Sequence, residues 1–424
     1  MRQLRLSATR RAVLAAFCAT TSAARSAVPG HVAHPADQFV ESVGVCTHLA
    51  SAPYNQQLDT LSHIVDRLGV RHLRDEIRPT NDVAAWRRFA ESSNARFHLL
   101  VSPATNTPRE MLDFLRALGP AAVSAVEGQN EGDSPWFKAQ DSARPDWAEV
   151  VVRYQRETLD ALRGGREFSG IPILSPTVLD YQPDDMRRIR GAAAFSDVVA
   201  LHAYLQGQQP PETVEDYAGI DWYLKNMRDP FKPGAPVMVT ETGYATGAAG
   251  ISQQAASVYL PRLLLHLYDR GIKRSFIYEF LDEGSGSDDP EQNYGLLSPK
   301  ADPKPAFHTL KLLLNTLSDR GSNLSATPLS LAVEQSPSDC RLMAFRKRDG
   351  EVILALWRAA SVWDPASKRD VDSTSGMVRL RLPPCSRAVT RSLTHGDDWI
   401  TLAVRGSRIE LPVGATVVLV RLSP

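Results

Sequence analysis

Val123-Ser124-Ala125-Val126-Glu127-Gly128-Gln129-Asn130-Glu131-Gly132 and Val237-Met238-Val239-Thr240-Glu241-Thr242-Gly243-Tyr244 are built alike: a short apolar run, then carboxylates, then glycine. Burying a carboxylate at the end of an apolar strand is costly unless it has a partner or a task. Six more runs of the same texture flank these two: Ser42–Thr47, Val70–Arg74, Arg96–Ser102, Ile171–Ser175, Val198–Tyr204 and Ser275–Phe280. Helix-period segments lie between them at Gln57–Leu68, Asp82–Ser92, Pro108–Leu118, Ala148–Arg163, Gln253–Arg270 and Ala306–Leu317. Eight strand-like runs interleaved with helices over residues 41–320 predict an α/β fold, a (β/α)8 TIM barrel. An open doubly wound sheet is the alternative. It would carry a glycine-rich phosphate turn after its first strand, and the segment after Val45 has none.

Beyond Arg320 the texture changes to short alternating runs, among them Leu329–Val333, Leu342–Arg346, Val352–Trp357, Met377–Leu382 and Thr416–Val420. This pattern predicts a small C-terminal antiparallel β-sandwich. At the other end, Arg10-Arg11 precedes the apolar run Ala12–Ala19 and the small residues Ser22-Ala23-Ala24, the order of an export signal of the twin-arginine type. The expected organisation is therefore a signal at 1–27, a catalytic barrel at 28–320 and an accessory sandwich at 321–424. The protein is expected to be secreted or periplasmic.

Charge is balanced, 48 basic against 48 acidic residues. Broad electrostatic capture of nucleic acid or anionic membrane is thereby disfavoured. No apolar stretch approaches the roughly 18–20 uncharged residues of a membrane span. Cys18 leaves with the signal, Cys46 sits in an apolar run, and Cys340 and Cys385 are close enough in sequence to pair in an oxidising compartment. No spacing of cysteine and histidine indicates zinc, and no cofactor or metal is expected. The acidic stretch Asp282-Glu283 and Asp288-Asp289 misses the calcium-loop spacing and reads as a solvated rim loop.

Reacting groups of a barrel sit where strands end and βα loops begin. The fourth and seventh runs lie across the mouth from each other, so Glu131 and Glu241, 110 residues apart, converge there. Such a pair suits glycoside hydrolysis, one acid protonating the leaving oxygen and one carboxylate attacking the anomeric carbon. Glu127 competes with Glu131 but lies deeper in the strand, where a structural role fits it better. His202 and Tyr204, two apart, share one strand face. Trp136 and Trp147 are sugar-stacking candidates, with core packing as the alternative for each.

Asn130-Glu131 ending the fourth run and Glu241 ending the seventh resemble the clan A glycoside hydrolases. The wider pattern Glu127-x-x-Asn130-Glu131 is similar to the acid/base strand of family 39, whose members also carry a β-sandwich beside the barrel. Thr240-Glu241-Thr242-Gly243-Tyr244 resembles the nucleophile strand of family 17 glucanases, and Gly295-Leu296-Leu297 to Lys304-Pro305-Ala306-Phe307 looks like the last loop and helix start of such barrels. Departures are Gly132 for a frequent proline, Thr242 for a frequent tryptophan, and Tyr278 where a sugar-stacking tryptophan is common.

The resemblance implies an exported retaining glycosidase acting on a poly- or oligosaccharide. Glu131 would be the acid/base and Glu241 the nucleophile. Arg74 would bond the nucleophile, although a surface pair with Asp75 or Glu76 is its alternative. Asn130 would bond the sugar 2-hydroxyl, and His202, Tyr204 and Tyr278 would bind substrate. A double displacement needs the carboxylates about 5–5.5 Å apart. A transglycosylase or lyase on the same barrel is a second reading, and a catalytically silent carbohydrate-binding protein a third.

Overall fold

The computed structural model describes residues 31–139, 146–179, 181–205, 207–213, 217–248, 250–284, 288–394 and 398–424. The expected export signal at 1–27, with Cys18, lies outside the described residues. Eight parallel strands form the barrel: β1 Val43–Cys46, β2 His72–Glu76, β3 Arg96–Leu100, β4 Val123–Glu127, β5 Ile173–Leu174, β6 Val199–His202, β7 Val237–Thr242 and β8 Ser275–Ile277. Neighbours in sequence pair with one another, and β8 returns to β1. The remaining seam, β5 to β6, closes through a Leu174–Val198 bridge and the Ser175 N–H donating to the Val198 carbonyl at 2.9 Å.

Each expected run overlaps a strand; β2 runs two residues past its run, to Glu76, and β5 and β8 are shorter than theirs. Register shifts at Leu201/His202 and between Val239 and Thr242 show the ladder loosening where side chains turn into the mouth. The main helices fall where periodicity placed them, with local start signals. Asp82 accepts from the N–H groups of Ala84 and Ala85 to open Val83–Ser93. Thr107 and Glu110 form a reciprocal capping box at Pro108–Leu118. Gly69, at φ 90°, ends Leu58–Leu68.

The C-terminal region is built mainly of two antiparallel-dominated sheets, beside a two-stranded ribbon of Trp363–Asp364 and Arg369–Asp370. One contains Cys340–Arg346, Val352–Arg358, Val418–Ser423 and Arg387–Ser392; the other contains Ala332–Gln335, Gly376–Arg381 and Arg408–Val413. Leu354, Leu356, Leu380, Ile409, Leu411 and Val420 fill the space between them. One strand comes from an unexpected place. His31–Pro35 pairs parallel with Cys340–Arg346 and antiparallel with Thr327–Leu329, so the segment assigned to the start of the barrel belongs to this sheet. Its five residues are too few to show a period. Cys46, Cys340 and Cys385 are all free thiols, so Cys340 and Cys385 do not pair. Among the described residues no helix is long and apolar enough to cross a membrane.

Candidate active site

Strand alternation turns Arg74 of β2 into the barrel, where it is 3% exposed. Its Nε and Nη2 donate to the two oxygens of Glu127 at 3.0 and 2.9 Å, a fork-on-fork contact that fixes the guanidinium plane. His98 Nε2 lies 2.6 Å from Glu127 Oε2 on the far side. Glu127 is fully buried, which alone would raise its pKa. The charges of Arg74 and His98 and their hydrogen bonds reverse that and hold it well below the usual carboxylate range. Glu127 is thus the foot on which Arg74 stands.

With its plane fixed, Arg74 donates from Nη1 to Glu241 Oε1 at 2.7 Å and from Nη2 to Asn130 Oδ1 at 2.8 Å. Tyr204 donates its hydroxyl to the other oxygen of Glu241 at 3.0 Å. Burial pushes the Glu241 pKa up; the charges of His202 and Arg74 and the two donated hydrogen bonds outweigh it, and the group titrates below its ordinary value. Glu241 is therefore held as an anion.

Glu131 leaves β4 in the left-handed region, φ 42°, and its N–H donates to Thr177 Oγ1 at 2.9 Å. A non-glycine residue there is uncommon and marks a backbone held by its surroundings. Its Oε1 lies 2.8 Å from His202 Nδ1, while His202 Nε2 lies 3.5 Å from Glu241 Oε1. In the neutral ring the proton sits on Nδ1, because Nε2 faces the Arg74 guanidinium at 3.3 Å, which has only donors. Burial lowers the His202 pKa; the negative charges of Glu241 and Glu131 overcome it and raise the value. One imidazole thus spans the two carboxylates, whose nearest oxygens lie within 4.8 Å of one another.

These groups open into a cleft of about 530 Å³ lined also by Thr47, His48, Asp75, Glu76, Arg78, Leu179, Tyr278, Glu291 and Tyr294. Tyr294 packs edge-on to both Tyr204 and Tyr278, at 5.7 and 5.4 Å between centroids. Arg74, Asn130, Glu131, Tyr204, Glu241 and Tyr278 all line this cleft, and His202 joins its two glutamates from behind. The tryptophans do not line it. Trp136 is 55% exposed outside the lining. Trp147 is buried under Gly132, with the Arg188 guanidinium 4.9 Å from its ring centroid.

Two features departed from expectation. Asp282 is not a solvated rim residue: it is buried, 2.6 Å from Lys304 Nζ, and accepts the Gly295 N–H at 2.8 Å. His48, Glu279 and Glu283 form a second cluster, His48 Nδ1 lying 2.5 Å from Glu283 Oε1 and 3.4 Å from Glu279 Oε2. Glu279 also accepts from the Tyr54 hydroxyl at 2.9 Å. Among the described residues, two donor sets are tight enough to hold a cation, this one and Glu131–His202–Glu241. In the second, Arg74 already supplies the positive charge. His98 was also missed, although the alternation that singled out His202 turns it inward between Phe97 and Leu99.

Searches by sequence against family models and against curated proteins return no match. Solved structures do match. A family 39 glycoside hydrolase from the gut symbiont Bacteroides cellulosilyticus WH2 superposes at TM-score 0.59 and 15% identity, over 91% of this chain and 82% of that one. A glucosidase from Croceicoccus marinus gives 0.61 and 13%, over 93% and 99%. The fold is that of these glycosidases. A family 51 α-L-arabinofuranosidase from Thermotoga petrophila RKU-1 gives 0.60 and 12%, over 93% and 98%. All three likenesses are likenesses of fold, a (β/α)8 barrel with a β-domain. The chemistry rests on the side chains.

Proposed function

We propose that the protein is a retaining glycoside hydrolase, with Glu241 as nucleophile and Glu131 as acid/base. The observation that carries this reading is the pair of carboxylates bridged by His202, their nearest oxygens within 4.8 Å. Oxygens that close suit direct attack on the anomeric carbon, whereas inverting enzymes set their carboxyl groups roughly 6.5–9.5 Å apart to admit a water.

The division of labour follows from the partners. Glu241 takes donors from Arg74 and Tyr204 and stays anionic, ready to form the glycosyl–carboxylate bond as the glycosidic C–O bond breaks. Glu131 gives its proton to the leaving oxygen. His202 Nδ1 occupies its Oε1, which leaves Oε2 for that proton. In the second half Glu131 takes a proton from water, water oxygen bonds the anomeric carbon, and Glu241 departs as carboxylate. Arg74 holds Asn130 by its oxygen, which leaves the amide nitrogen of this cleft-lining residue to donate to a sugar hydroxyl. Action after export follows from the signal-like start, and replacing Arg10-Arg11 by Lys-Lys should keep the protein in the cytoplasm.

Aryl-glycosides and cell-wall polysaccharides, followed by proton NMR of the first product, test the reading. A retained anomer is expected; an inverted one would overturn the mechanism. In Glu241→Ala, azide should restore turnover with an inverted product. Rescue of Glu131→Ala should retain configuration, because azide there attacks the covalent intermediate.

A further inference from the structure

The rim on the β5–β6 side carries an aromatic cluster that the catalytic geometry does not use. Tyr181 and Tyr217 stack with centroids 5.4 Å apart and planes 19° apart. Trp222 meets Tyr217 edge-on at 5.1 Å and tilts against Tyr181 at 6.0 Å. Tyr223, fully buried, backs Tyr181 at 5.7 Å. The front of the cluster is open: Tyr217 is 55% exposed, and Tyr181 and Trp222 are half-buried. Tyr181 and Ala218 both hold left-handed backbone, φ 60° and 61°, a conformation that costs energy for non-glycine residues.

The cluster is tied to the reaction centre from two sides. The Tyr181 hydroxyl donates to the backbone carbonyl of Tyr204, whose own hydroxyl holds Glu241. Two residues earlier Leu179 lines the cleft, and its N–H donates at 2.8 Å to Asp133, two residues beyond Glu131. Tyr204 and Leu179 line the cleft together with His48, Asp75, Tyr278 and Glu291. Tyr181 therefore stands directly beside a residue that lines the cleft.

We propose that Tyr181, Tyr217 and Trp222 form a stacking platform for a further sugar unit, so that the substrate is a glycan chain and not a single glycoside. Sugar rings present C–H faces, which favour flat aromatic surfaces that are pre-positioned and partly dehydrated. The Tyr181 hydroxyl, committed to the Tyr204 carbonyl, fixes the height of the platform relative to the nucleophile. The inference rests on the hydrolase reading above and deepens it to the substrate class.

The test compares Tyr217→Ala, Trp222→Ala and Tyr217→Phe with the unaltered protein. The probes are a 4-nitrophenyl glycoside and a ladder of oligosaccharides of the same sugar. In the unaltered protein kcat/KM should climb with chain length. Each alanine variant should lower the ratio of long-chain to aryl-glycoside kcat/KM by about three- to tenfold, mainly through KM. Tyr217→Phe should keep the ratio. A flat chain-length profile in the unaltered protein, or equal losses on both probes, would overturn the platform. Calorimetric titration with the same ladder covers a chain that turns nothing over. Binding that Tyr217→Ala weakens would then keep the platform and sink the hydrolase reading, and absence of binding would sink both.

Discussion

Arg74 donates to the oxygens of three side chains at once, and its geometry leaves none of them to a point charge. Lysine would keep the positive charge but not the planar fork that grips Glu127 while reaching Glu241 and Asn130. Arg74→Lys should therefore lower kcat/KM by about 10²-fold or more, the scale of a small misplacement at a reacting centre. Retention of activity within a few-fold would show that the fork does not matter. The anionic state of Glu241 is set by the same donors, so the acid limb of the pH–rate profile should fall below the ordinary glutamate value of about 4.3. Tyr204→Phe removes one donor and should move that limb upward. Glu279 behaves in the opposite sense. Burial, only partly offset by His48, pushes its carboxyl up to about 8. The folded state then binds a proton that the unfolded chain releases above about pH 4.3. Its stabilisation is complete below that pH and is lost as pH rises towards 8, by about 1.4 kcal/mol per pH unit for one proton. His48, raised to about 9, adds the same sign above about pH 6.5. Denaturant unfolding at pH 5 and pH 8 should show a smaller difference in Glu279→Gln than in the unaltered protein, and an unchanged difference would remove Glu279 as a cause.

At the scale of elements, strand existence was legible and strand contacts were not. Parallel barrel strands are buried on both faces, so they read as continuous apolar runs, and helix caps such as Thr107–Glu110 are local. The Asn130-Glu131 and Thr240-Glu241 strand ends could be read for the same reason. What stayed hidden depended on register across the barrel: that Glu127 and His98 brace Arg74, that His202 spans the glutamates, and that Glu279 turns towards His48. No spacing along the chain encodes those distances. Close backbone approach was equally hidden. Gly243 follows β7, and a Cβ there would sit 2.3 Å from the Tyr278 carbonyl oxygen, which is backbone and cannot swing aside. Gly243→Ala should push β7 and β8 apart, costing about 1–3 kcal/mol in denaturant unfolding and lowering kcat as Tyr278 shifts. A variant with unaltered stability and kcat would mean the loop yields freely.

Across the whole molecule, the β-domain completes the barrel instead of merely hanging from it. Arg262, on the helix Gln253–Asp269, is fully buried and meets Glu212 by two bonds, Nε to Oε1 at 2.9 Å and Nη2 to Oε2 at 2.5 Å. The β-domain closes this pair: Trp357 Nε1 donates to Glu212 Oε1 at 2.6 Å, and Arg262 Nη1 donates to the Ala360 carbonyl at 2.8 Å. Glu212 lies on the loop that follows Tyr204, and the hydroxyl of Tyr244, three residues past Glu241, donates to the Gln209 carbonyl of that loop. The sandwich therefore reaches, directly or through one hydrogen bond, both loops that flank Glu241, so a domain outside the cleft bears on the site. Burying this ion pair gains little by itself, since desolvation opposes the attraction; breaking it leaves an uncompensated charge in the interface. Glu212→Ala should destabilise the fold by about 3–5 kcal/mol because Arg262 then stands buried without an anion. Trp357→Phe keeps the packing and loses one hydrogen bond to a charged group, about 1.5–3 kcal/mol. If Arg262 is the buried charge at fault, Glu212→Ala combined with Arg262→Met should be more stable than Glu212→Ala alone. Denaturant midpoints of the two variants decide it, and a double variant no better than the single would locate the cost in packing.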